Sequence, residues 1–210
     1  MRFLLLFGVF GACTSPVTDV ATCPCDEISL PASPVTDDAS VLSLLSATQV
    51  AAFPELNGVT LAVSPVEDLA FFRASIDLGT LSVDTTVGRV YRVEYDPIVL
   101  SDPPEPAALA AVLAHELGHV NDYAAMTSTE YLDFGLWYAE QSAAGSDDLA
   151  AYERATDEQA LTRGCAAGLS AMREWIYAHC TGEVLAEKQR DYYSPDEIAA
   201  WVEAHGACEM

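Results

Sequence analysis

The chain reads as an α+β domain: a short N-terminal mixed sheet leading into a long helix, then a mostly helical C-terminal half. Three observations predict this. Strand-length apolar pieces crowd before the Pro103-Pro104-Glu105-Pro106 cluster, and after it the apolar spacing turns helical almost to the end. With 210 residues, 51% of them hydrophobic, there is material for one real core and too little for two large domains.

Taken in order, residues 39–53 predict a first helix with Val41, Leu44, Leu45 and Val50 on its apolar side. Strand-like pieces follow at Val59 to Val63, Phe71 to Ile76, Thr80 to Val83 and Val87 to Val93. In the last of these, Val87, Arg89, Tyr91 and Val93 face one way and Val90 and Arg92 the other. Residues 107–125, 129–144 and 147–178 predict three helices, with Gly145 and Gly182 as breaks. Ser194-Pro195-Asp196-Glu197 is a capping box with proline at the first helical position, so a final helix runs to about His205.

Nine basic residues stand against 32 acidic ones, a formal net charge of −23. Polyanion binding needs the opposite balance, so nucleic acid and anionic headgroups are poor candidates as partners. The opening MRFLLLFGVFGAC has one charge, Arg2, an apolar run over residues 3–10 and a small-residue exit at Gly11-Ala12-Cys13. That run is too short to span a bilayer and predicts a signal peptide over residues 1–12. It resembles a bacterial lipoprotein signal, with Phe10 where that pattern usually has Leu, and implies an exported cell-envelope protein whose membrane contact is a lipid on Cys13. Ordinary secretion is the rival reading. Residues 13–38, rich in Pro, Thr, Ser and Asp, read as a flexible tether before a domain at 39–210. Export favours disulfides, and we expect Cys165 with Cys180 and one of Cys23 or Cys25 with Cys208. A Cys-Pro-Cys metal clip lacks a second pair to complete it.

The chemistry is carried by His115-Glu116-Leu117-Gly118-His119 in the first long helix. Histidines four residues apart share a helix face, so both imidazoles can reach one metal ion. Glu116 sits beside them, free to take a proton from water that a divalent ion has acidified. A catalytic zinc needs a third protein ligand and an open fourth position. Glu153 and Asp157, four apart in the third helix, share a face as a ligand and a supporting carboxylate would. Asp157 or Glu158 as the ligand, and Asp122 as a support or a surface residue, stay open.

HELGH followed by Glu-x-x-x-Asp on a later helix resembles the gluzincin clan of zinc metallopeptidases. The pattern is most similar to minimal gluzincins and soluble relatives of the prenyl-protein endopeptidases, which carry Glu-x-x-Ala-Asp-x-x-Ala. Here Thr156 replaces the first Ala and Ala160 agrees with the second. The resemblance implies a small zincin-like domain, Zn2+ as cofactor, Glu153 as third ligand and Asp157 supporting a zinc-bound histidine. It implies an endopeptidase acting on peptide or protein substrates, with Glu116 as general base. Tyr192, Tyr193, His179 and His205 are available to stabilise an oxyanion, and spacing does not choose among them. Substrate would lie along an edge strand near residues 79–95, and Arg89 and Arg92 read as surface charges rather than steering groups. Two other readings are a silent zinc-binding surface lipoprotein and a latent form in which Cys23 or Cys25 fills the open zinc position.

Overall fold

The computed structural model describes residues 22–67, 71–82 and 87–208. The signal segment, Cys13 and the first part of the expected tether lie outside the described residues.

Helix α1 (Asp38–Ala52) opens on a capping box in which the Asp37 carboxylate accepts from the Ser40 N–H at 2.8 Å. It buries Val41, Leu44, Leu45, Thr48 and Ala52. Val50, expected on that face, is 76% exposed, because it lies off the stripe that those five positions define. Three strands follow: β1 (Thr60–Pro65), β2 (Phe72–Ile76) and β3 (Val90–Tyr95). They form a mixed sheet in the order β1-β3-β2, with β1 parallel and β2 antiparallel to β3. Period two sends Tyr91, Val93 and Tyr95 into the core.

Two strand expectations change. Leu78–Thr80 is a 3-10 turn closed by the Asp77 carboxylate on the Gly79 N–H, so the described part of 80–83 is not strand. The last strand starts at Val90 rather than Val87, because Gly88 (φ +83°) turns the chain just before it. That strand is also the centre of the sheet. The edge is β2.

A short turn of helix, α2 (Ile98–Ser101), leads to α3 (Pro106–Ala125), which is buried without a break from Ala108 to Val120. A helix apolar on all sides belongs inside, and α3 packs against α1, β2, α5 and α6. Helix α4 (Ser128–Ala144) begins on a Thr127–Glu130 capping box and ends at Gly145 in the left-handed region. The expected long third helix is two: α5 (Asp147–Leu161) and α6 (Ala166–His179). Gly164 breaks it at φ +86°, and a Cβ there would stand 2.2 Å from that of Cys23. Gly182 starts a further helix, α7 (Gly182–Asp191), and α8 (Pro195–His205) follows its capping box as expected.

The disulfides are Cys23–Cys208 and Cys25–Cys165. Cys180 is therefore not the partner of Cys165; its buried thiol donates to the Ile176 carbonyl at 3.0 Å. Residues 22–37 differ from a free tether: two bridges hold them to the domain, and Ile28 and Val35 are buried. No helix among the described residues is long and apolar enough to cross a membrane.

Candidate metal centre

Helix α3 presents His115, Glu116 and His119 to α5, which faces them with Glu153, Thr156 and Asp157; all six are buried. The helices approach closely because position 118 is glycine: a Cβ there would meet Thr156 Cγ2 at 2.9 Å. The close approach brings the Nε2 atoms of His115 and His119 each within 3.3 Å of one Glu153 oxygen, Oε2.

The far side of each ring is held. His115 Nδ1 lies 2.8 Å from Asp157 Oδ1, and since a carboxylate only accepts, the ring donates from Nδ1. His119 Nδ1 lies 2.9 Å from the Tyr152 hydroxyl. The Tyr138 hydroxyl donates to the other Glu153 oxygen at 2.7 Å. Asp157 also accepts from Arg173 at 2.6 Å and from the Tyr193 backbone N–H at 3.0 Å.

Charge at the centre follows from burial and neighbours. Burial alone would lower the His115 imidazole, but Asp157 and Glu153 overcome it and raise it to about 9. Burial works to raise Glu153, yet the two histidines hold it well below the usual carboxylate range. Glu116 moves the other way: burial lifts its carboxyl, against the pull of His115 and His119. Asp157 is held low against its burial by the Arg173 guanidinium and His115.

These residues fit a metal ion. His115, His119 and Glu153 offer three ligand atoms within 4.8 Å of one another, and Glu153 Oε2 is buried with no hydrogen bond. A buried carboxylate oxygen in that state calls for a cation. Tetrahedral ligands about 2.0–2.1 Å from zinc stand roughly 3.3 Å apart, the separation both histidines keep from Glu153.

The open alternatives sort by position. Asp157 lies behind His115 with its oxygens engaged, so it supports a ligand rather than acting as one. Glu158 accepts from the Tyr193 hydroxyl and Asp122 from Gln159, both outside the ligand group. Among the oxyanion candidates, His179 bonds Asp102, His205 stacks on Trp201 and Tyr193 is on Glu158. Tyr192 alone of the four lines the cleft, its ring 5.6 Å from that of His115. Arg89, read as a surface charge, is buried: it donates to the Met126 carbonyl at 2.8 Å and to Ser128 at 3.0 Å, tying β3 to the α3–α4 turn. Arg92 pairs with Asp77 at 2.6 Å. Cys23 and Cys25 are both in disulfides, which removes the thiolate latch.

Tyr138, Tyr152, Arg173 and Lys188 belong to the site and carried no signal in the sequence beyond the adjacency of Tyr152 to Glu153. A cleft of about 460 Å3 opens over Glu116, His119 and Glu153. Residues 72–75 of β2 form one wall, Tyr131, Phe134 and Tyr138 of α4 another, and Lys188 and Tyr192 a third. No family model, curated protein or solved structure matches the chain.

Proposed function

We propose that this domain is a zinc-dependent endopeptidase. The observation that carries the reading is the buried convergence of His115, His119 and Glu153 beneath an open cleft, with the Glu116 carboxyl beside them and one of its oxygens lacking a partner. Bound zinc would polarise water and the substrate carbonyl. Glu116 takes the proton that the attacking water gives up and returns it to the departing amine, so the carboxyl ends as it began. Burial, which lifts the Glu116 carboxyl, suits a group that must both accept and deliver a proton.

Substrate alignment falls to β2. The Asp77 N–H bonds Val90 and the Phe71 carbonyl accepts from Asp96, so odd-numbered residues of this strand turn their backbone groups toward β3. Phe72 and Ala74 then turn theirs to the open edge, while the Tyr131 hydroxyl already occupies the Ile76 N–H at 2.9 Å. An extended peptide adding to this edge would have its backbone held over Glu116 by main-chain hydrogen bonds. Export of the domain, with a lipid on Cys13, is proposed with it, since two disulfides suit an oxidising compartment.

The test is cleavage of a diverse peptide mixture by zinc-loaded protein, wild type beside Glu116→Ala, read by mass spectrometry. New termini from wild type and none from the variant, at equal zinc content, are expected. No cuts by either protein with zinc bound in both would overturn the reading.

A further inference from the structure

Lys188 is the chain's single lysine, in a protein of net charge −23, and its side chain is nine-tenths buried. Lysine is seldom buried without a partner that satisfies its charge. Every arginine among the described residues has a guanidinium nitrogen 2.9 Å or less from an acceptor. Lys188 does not: its nearest carboxylate is the neighbouring, half-exposed Glu187, at 3.8 Å. The ammonium lies instead over the Tyr192 ring, 5.1 Å from its centroid, on the wall of the cleft that also holds Glu116 and Glu153. Lys188 also lines a small recess together with His115, Glu116 and Arg173.

We propose that Lys188 is the anion-binding residue of this cleft, its ammonium taking a negatively charged oxygen of the bound substrate. The inference deepens the peptidase reading and rests on it. Two sources supply such an oxygen. As water adds to the scissile carbonyl, the π electrons move onto its oxygen, and that oxyanion needs a preorganised donor. A substrate carboxylate offers the same charge in the ground state. Tyr192 positions the ammonium in either case by offering it a ring face rather than a carboxylate, which leaves its donors for the ligand.

Zinc-loaded wild type, Lys188→Met and Lys188→Arg, matched for zinc content and melting temperature, test this with a phosphinic peptide, which carries a negatively charged tetrahedral centre. Calorimetry should show Lys188→Met weakening that binding by about 10- to 100-fold, with Lys188→Arg recovering most of it. With peptides blocked at both ends and lacking acidic residues, a fall in kcat at constant KM assigns the oxyanion as the source. A rise in KM confined to carboxylate-bearing peptides assigns the substrate carboxylate. Unchanged phosphinic affinity, kcat and KM in Lys188→Met would overturn the proposal while leaving the peptidase reading standing. Tighter phosphinic binding by wild type than by Lys188→Met, with no peptide cut by any form, would keep the anion site and sink the peptidase. Should Lys188→Met fold poorly, acetylation of the sole lysine in wild type replaces it: the phosphinic peptide should slow modification of Lys188, and equal rates with and without it would refute the assignment.

Discussion

Three donors converge on the Asp157 carboxylate: the His115 ring, the Arg173 guanidinium and the Tyr193 backbone N–H. An ionised carboxylate can accept all three, whereas an amide of the same shape must turn its NH2 toward one of them. Asp157→Asn, its oxygen kept on His115 and Arg173 and its NH2 set against the Tyr193 N–H, should therefore loosen the hold on the His115 ring and leave a buried guanidinium without its counter-charge. We expect zinc affinity to fall about 10- to 100-fold, as measured by chelator competition. We also expect stability to drop by about 3–5 kcal/mol, because removing one member of a buried ion pair strands the other. Wild-type affinity in the variant would mean that the His115 orientation does not depend on this contact. His115, Glu116, His119, Glu153 and Asp157 were legible because each set shares one helix, where spacing alone decides which side chains are neighbours. Arg173, Tyr138 and Lys188 were not, since their contacts depend on how separate helices approach one another.

At the scale of elements, the distance between α3 and α5 decides whether the centre exists. Gly118 sets that distance with Thr156, whose Oγ1 returns to the Tyr152 carbonyl at 3.1 Å and so keeps Cγ2 against α3. Gly118→Ala puts a methyl 2.9 Å from that Cγ2. The helix itself gains from alanine, by about 0.5–1 kcal/mol, but the overlap pushes α5 and Glu153 away from the histidines. Weaker zinc binding without loss of helix content, by circular dichroism and chelator competition, is the expected result. Adding Thr156→Ala removes the colliding methyl and should restore most of the affinity; failure to restore it would place the strain elsewhere. The sequence alone reads α5 and α6 as one helix. Periodicity runs through both, and the reason for the break is tertiary: Gly164 is where the Cys23 side chain sits.

Across the whole molecule, both ends of the described chain return to that α5–α6 corner. Cys23 bridges to Cys208, Cys25 bridges to Cys165, and the Cys25 N–H bonds the Arg163 carbonyl at 2.9 Å. Composition identified residues 13–38 as a tether because Pro, Thr and Asp carry no helical or strand period; bridges to cysteines over a hundred residues away carry no local pattern either. The bridges span 185 and 140 residues, so each restrains a long loop of the unfolded chain. By chain entropy each contributes about 2–5 kcal/mol, the two loops overlapping and so not adding in full. Replacing Cys25 and Cys165 together by serine should lower the melting temperature by about 10 °C. Zinc affinity should hardly move, because Glu153 lies more than two turns before the corner and is positioned by Tyr138, Thr156 and the α3 histidines rather than by the bridge. Melting curves and chelator competition on the same double variant separate the two effects. A large loss of zinc binding at an unchanged melting temperature would reverse this assignment and make the corner part of the site's support.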